Sequence, residues 1–227
     1  GEHREALEFG RDDYLELIEE AKTEGVEFFA TPWDFPSVDF LEDLDVPAYK
    51  VASCDLTNTP LLRYIAQTGR PTIISTGGGT LEAVDRAAEI VQAAGTPLAI
   101  MQCTSGYPPE FGELNLSVIA TFRERYPDAT IGYSGHDSGI AMGLVAYVLG
   151  ARIIEKHFTL NRAMKGTDHS FSLEPDGLRK MVRDISRAKE ALGDGVKRAY
   201  ESEAAPLKKL SKMIVAKRDL VAGTVLS

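Results

Sequence analysis

An α/β fold wound on a parallel sheet is what this 227-residue sequence predicts. Short apolar runs alternate with segments of helical spacing, the runs read as strands buried on both faces, and Gly or Pro stands just before many of them. Six such βα units fit a (β/α)8 TIM barrel lacking about its first two strands, since the sequence opens on a helix. An open doubly wound sheet is the alternative. It would usually carry a glycine fingerprint after its first strand, where FFATPWD stands instead.

Tyr14, Leu15, Leu17, Ile18 and Ala21 recur at helical spacing and predict the first helix, which EGVE closes before the strand VEFFAT at 26–31. Val38, Leu41 and Leu44 give the second helix, and DVPAY leads from it into AYKVAS at 48–53. Leu61, Leu62 and Ile65 give the third, ended by GRPT ahead of TIISTG at 72–77. Leu81, Val84, Ala87, Ala88 and Val91 make the fourth, with GTPL introducing LAIMQCT at 98–104. Leu116, Ile119 and Phe122 form the fifth, before TIGYSG at 130–135. Ile140, Leu144 and Val148 form the sixth, before RIIEKHF at 152–158; Leu178, Val182, Ile185 and Ala188 form the last.

With 44% hydrophobic residues the chain can bury one large core. The most apolar uncharged stretch of its C-terminal half, Ser138 to Ala151, is 14 residues and broken by three glycines, so no bilayer span is expected there. The opening GEHREALEFGRDD has no apolar signal-peptide region, and a cytoplasmic setting is the expectation. A net charge of −9 argues against nonspecific nucleic-acid binding, yet permits a small anion held by local positive charge. Cys54 and Cys103 lie in separate apolar segments without metal-ligand spacing, and are expected to be reduced core thiols.

In a parallel barrel the C-terminal strand ends converge on one mouth. Those ends read Thr31, then Lys50 and Ser53, Ser75 and Thr76, Gln102 to Tyr107, Ser134 and His136, and Glu155 and His157. A lone strand-end histidine is more often structural. Two on successive strands, with Asp137 and Glu155 beside them, weigh equally as ligands for Mn²⁺, Mg²⁺ or Zn²⁺. His3 reads as a solvated residue; His169 either caps the mouth or braces its loop. Lys50 interrupts an apolar strand, where an unpaired ammonium is costly, so it is expected to face the mouth and hold an anion; outward snorkelling is the alternative. Hydroxyls at 53, 75, 76, 104 and 134 can donate to phosphate or carboxylate oxygens, or simply cap turns. In STGGGTLEAVDRA a strand runs through three glycines into a helix capped by Thr80, which aims amide donors at an anion without the GK[ST] of a Walker loop.

PAYKVAS, STGG, MQCTSGYP, IGYSGH, EKHF and KGTDHSFSLEP, in that order, resemble the sialic acid synthase family of phosphoenolpyruvate-dependent enzymes over essentially the whole chain. The resemblance implies a TIM barrel over 1–200, a linker over 201–212, and the start of a small antifreeze-like (SAF) domain over 213–227. It implies His136 and His157 as ligands of a divalent metal, with Mn²⁺ expected and Mg²⁺ or Co²⁺ as alternatives. Lys50, Thr31, Ser53 and Ser75 match positions around the phosphate of phosphoenolpyruvate, and Ser134 and Tyr107 positions near its carboxylate. Ser105 replaces an asparagine common in bacterial members. Asp168 and Asp55 match sugar-side carboxylates, and Lys50, Glu155 and Asp168 make up the implied catalytic set. The implied reaction joins phosphoenolpyruvate to N-acetylmannosamine, or its 6-phosphate, with release of phosphate. The implied assembly is a homodimer in which the C-terminal domain covers the partner's active site, with no nucleic acid or membrane among the partners.

The family's opening segment, like IAEIGxNHxG, and its following strand ending in KFQ have no counterpart here. The sequence is therefore expected to be a portion of the protein or a truncated form, and a six-strand piece alone would expose two sheet edges and be poorly stable or inactive. Two rival readings remain at this stage. One is a metal-dependent barrel hydrolase, which usually needs more protein ligands, often an HxH on an early strand. The other is an inactive barrel acting as a sugar-binding or oligomerisation module.

Overall fold

The computed structural model describes residues 8–225, so His3 lies outside the described residues. Five parallel strands, β1 (Tyr49–Val51), β2 (Thr72–Ser75), β3 (Leu98–Cys103), β4 (Thr130–Gly135) and β5 (Ile153–Lys156), lie side by side in chain order. Helices connect them: α1 (Arg11–Glu24) and α2 (Phe35–Asp43) precede β1, and α3 (Thr59–Gln67), α4 (Leu81–Ala93), α5 (Val118–Arg125) and α6 (Ala141–Leu149) fill the crossovers. The result is a parallel half-barrel, as βα repeats with short connections dictate.

Helices α2, α3 and α4 start where the sequence supplies a side-chain acceptor for their free amides. Asp34 takes the Ser37 N–H at 2.8 Å, Asn58 takes that of Leu61 at 3.4 Å, and Thr80 takes that of Ala83 at 3.4 Å. Pro36 and Pro60 sit in the first turns of α2 and α3, where no amide is lost. Gly25 ends α1 at φ 69°, a left-handed cap that a side chain would strain.

Strand alternation divides the sheet into two faces. Tyr49, Ile74, Ile100, Ile131 and Tyr133 point to the helix-covered side and join Leu61, Leu62, Ile65, Val91 and Ile119 in one core. Lys50, Ser75, Cys103, Ser134 and Glu155 fall on the other face, the register pairing Ser134 with both Cys103 and Glu155. Gly132 on that face makes room for Met101, whose Sδ stands 2.2 Å from where a Cβ would be.

The structure corrects several expectations. VEFFAT at 26–31 forms no strand. It makes a single bridge, Ala30 to Tyr49, because β1 offers only three residues to pair with, and Val26 is 61% exposed. The sixth helix buries Gly143 and Ala146 rather than Ile140, Leu144 and Val148, since only small residues let it approach Ile154 and Met181. In α7 (Pro175–Ala191) only Met181 is buried, while Leu178 and Val182 stay exposed. Cys54 is exposed on the turn after β1, and Cys103 alone is a core thiol; both are free.

Residues 190–227 form a second compact unit, in which α8 (Ala204–Leu210) is the helix described. Among the described residues of 213–225 there is no strand. None of the described helices is long and apolar enough to cross a membrane.

Candidate active site at the strand ends

Lys50 leaves β1 on the face away from the helices, its side chain only 11% exposed, and its Nζ stands 3.5 Å from Glu155 Oε2. The carboxylate's other oxygen accepts from Ser134 Oγ at 2.8 Å. Three strands thus place a cation, a carboxylate and a hydroxyl in one row, because Ser134 and Glu155 share a register position. The anion that Lys50 meets is Glu155.

Ser75 Oγ, on the same face, is buried without a hydrogen-bond partner. A buried hydroxyl is costly unless something accepts from or donates to it, so it is suited to an anionic oxygen. Ser53 Oγ accepts from Gly77 N–H at 3.0 Å and lies 3.6 Å from Cys103 Sγ. A Cβ on Gly77 would stand 2.0 Å from Ser105 Oγ and 2.9 Å from Ser53 Oγ, so glycine is required for the two serines to close over this turn. This modifies the expected amide cradle: the Gly77 amide is already engaged. Thr76 and Gln102 turn to the main chain, donating to Met101 and Leu114 carbonyls at 2.8 and 3.0 Å.

The two strand-end histidines meet, ring centroids 5.1 Å apart. His136 Nδ1 lies 3.0 Å from the Thr104 carbonyl and 3.9 Å from Cys103 Sγ, which orients the ring with Nε2 on its free side. His157 Nδ1 lies 3.6 Å from Asp168 Oδ2. Tyr107 covers both, 4.4 Å from the His136 ring and 6.0 Å from His157, and Phe171 packs 5.1 Å from His157. Burial disfavours a charged His136, but the Cys103 sulfur and the Thr104 carbonyl outweigh it, so its pKa is raised. Burial and the neighbouring His136 charge lower that of His157. Among the described residues no three His, Cys, Asp or Glu side chains converge as a complete metal cage. The donor set therefore amounts to two oriented imidazoles, which suits an exchangeable divalent ion with open positions.

The remaining candidates line a further depression or brace loops. Thr31 lines a depression of about 900 Å³ with Trp33 and Asp34. Asp55 accepts from Asn58 Nδ2 at 2.9 Å at the head of α3. His169 shares a hydrogen bond of 2.7 Å with Thr159 Oγ1, so it braces its loop. Arg162 binds the Ser170 carbonyl through Nε at 2.7 Å. A cavity of about 270 Å³ opens beside Glu155 and His157, walled by Phe29, Ile73, Ile153 and Phe158.

Sequence reasoning missed one cluster. Asp137 turns away from His136 and pairs with Lys156, Nζ to Oδ1 at 3.0 Å, both side chains at most 3% exposed. Tyr133 OH donates to the same Oδ1 at 2.7 Å. Burial, and then this bond to Asp137, raise the Tyr133 pKa; burial lowers that of Lys156 against the pull of Asp137. The signal was available: alternation puts Lys156 on the helix-covered face with Tyr133, where an ammonium needs a partner.

A sequence model of the NeuB family matches residues 1–197. The chain is 41% identical over 227 residues to N-acetylneuraminate-9-phosphate synthase of Homo sapiens, covering 100% of this chain and 63% of that protein. It is 37% identical over 224 residues to N,N'-diacetyllegionaminic acid synthase of Campylobacter jejuni, covering 97% and 67%. Among solved structures, N-acetylneuraminic acid synthetase of Leptospira borgpetersenii in complex with citrate superposes with a TM-score of 0.81 at 36% identity, covering 89% of this chain and 70% of that one. A DAHP synthase of Thermotoga maritima, 16% identical with a TM-score of 0.71 and coverage of 83% and 58%, shares the fold. The chain spans just under two thirds of the human relative's length, 63%.

Proposed function

The chain belongs to the NeuB family, and from that premise we propose that it carries the phosphoenolpyruvate and metal side of a nonulosonate synthase site. The proposed reaction joins C3 of phosphoenolpyruvate to the aldehyde carbon of N-acetylmannosamine or its 6-phosphate. Water adds at C2, and collapse breaks the C–O bond to release phosphate. The observation that carries this reading is the row Lys50–Glu155–Ser134, with the unpartnered Ser75 hydroxyl on the same face and two histidines at its rim.

Phosphoenolpyruvate carries charge at two ends, so it needs a cation and donors at separated points. Lys50 supplies the cation, and Ser75 and Ser53 supply hydroxyls on the phosphate side. Ser134 and Tyr107 lie toward the carboxylate. Glu155, bridged between Lys50 and Ser134, fixes both donors and offers an acceptor beside the bond-forming carbon. Asp168, 3.6 Å from His157 Nδ1, would accept from a sugar hydroxyl. His136 and His157 would hold a divalent ion, Mn²⁺ by preference with Mg²⁺ or Co²⁺ as alternatives. Bound there, it would supply Lewis-acid polarisation of the aldehyde oxygen.

In the proposed assembly a homodimer completes the site, with a cytoplasmic location and small-molecule partners only. The test is phosphate release from phosphoenolpyruvate with Mn²⁺, comparing N-acetylmannosamine with its 6-phosphate, alongside His136→Ala and His157→Ala. Release that requires an amino sugar and is lost in both variants supports the reading. Ester or amide hydrolysis without phosphoenolpyruvate would instead favour a hydrolase.

A further inference from the structure

The buried cluster of Tyr133, Asp137 and Lys156 has no place in the chemistry above, yet each of its charged members is the chain neighbour of a site histidine. Asp137 follows His136 and Lys156 precedes His157. Lys156 Nζ donates twice to one residue, to Asp137 Oδ1 at 3.0 Å and to the Asp137 main-chain carbonyl at 2.5 Å. The second contact grips the backbone itself, one residue past His136. Tyr133 OH closes the arrangement from below on the same strand. Gly135 leaves room for it: a Cβ there would stand 2.7 Å from Asp137 Oδ1 and 2.5 Å from the Tyr133 ring.

A buried ion pair is a poor device for stability, because desolvation offsets most of the attraction. It is a good device for register, because both partners lose heavily if they separate. Here the register it fixes is that between the loop leaving β4 and the end of β5, which sets how far apart the two imidazoles stand.

We propose that Tyr133, Asp137 and Lys156 are positioning residues that lock His136 and His157 at the separation needed to share one divalent ion. The inference rests on the reading of those histidines as ligands. Outer groups that orient metal ligands typically change affinity 10- to 100-fold when removed, and the same scale is expected here.

The experiment measures Mn²⁺ binding by calorimetry on the full chain, with circular dichroism and thermal melts on every variant. Tyr133→Phe removes one hydroxyl. The double variant Asp137→Asn with Lys156→Met removes both charges together, so neither is left buried alone. The expected result is folded protein whose Mn²⁺ dissociation constant rises about 10- to 100-fold in the double variant and less in Tyr133→Phe. A folded double variant, or a folded Tyr133→Phe should the double variant not fold, that binds Mn²⁺ as the parent does overturns the positioning role while leaving the histidine reading intact. Parent protein whose Mn²⁺ binding is absent, or is unchanged by His136→Ala, overturns both.

Discussion

Lys50 shows how one residue can be read from sequence and still surprise in structure. Its place in an apolar strand requires a partner, and the partner is Glu155, which the sequence places 105 residues later (155 − 50). A bound anion must therefore share this ammonium with a carboxylate. Charge-assisted hydrogen bonds are worth about 1.5–3 kcal/mol, or roughly 10- to 100-fold. Lys50→Met is accordingly expected to raise KM for phosphoenolpyruvate by about that factor in steady-state kinetics, while Mn²⁺ binding measured separately stays near the parent value. Ser75→Ala should act in the same direction but more weakly, about 3- to 10-fold, as a neutral donor does. Equal loss of Mn²⁺ affinity in Lys50→Met would show instead that the variant disturbs the whole mouth.

At the scale of elements, neighbouring helices are tied as well as packed. Arg125 at the end of α5 makes a bidentate bond to Asp85 on α4, both contacts 2.6 Å, and Tyr126 OH donates to the same carboxylate at 2.7 Å. These bonds, Arg125 first, hold the Asp85 pKa below its ordinary value. A depressed carboxylate pKa stabilises the fold above the unfolded pKa of about 3.9, and the gain is lost as pH falls through the folded value. Asp85→Asn should therefore lower stability by about 1 kcal/mol at pH 7, given how exposed the pair is, and denaturation curves of the two proteins should begin to converge as pH falls below about 3.9 and meet only below the depressed folded pKa of Asp85. Inside the sheet, Gly132→Ala would drive a methyl into Met101 and to 2.8 Å from the Ile153 carbonyl. Overpacking of this kind costs about 1–3 kcal/mol, readable as a lowered urea midpoint. The five strands and their crossover helices were legible because periodicity and Gly or Pro punctuation are local signals. The fate of VEFFAT was not, since pairing depends on the neighbour that β1 is too short to provide. The partnership of Asp137 with Lys156 escaped for a similar reason: period 2 says which face a side chain takes, but not which distant loop folds over it.

For the whole molecule, the described sheet is open, with β5 half-buried along its length and β1 carrying only the Ala30 bridge on its outer side. Sheet edges left so largely unpaired invite association. The chain is therefore expected to sediment in a concentration-dependent way; sedimentation that does not change with concentration would count against association through these edges. The grouping of Lys50, Ser75, Ser134, Glu155 and both histidines on one face or rim was legible at this scale, because strand alternation and strand ends fix it; Thr31 and Asp55 sit in loops whose course no periodicity gives. On the proposed function, this mouth holds phosphoenolpyruvate for attack on a sugar aldehyde. The most direct test of that function is phosphoenolpyruvate labelled with ¹⁸O in the bridging C–O–P position, turned over with Mn²⁺ and the amino sugar. The label is expected to leave in the phosphate, and only when the sugar is present. Label retained in the carbon product, or phosphate released at the same rate without sugar, would contradict it.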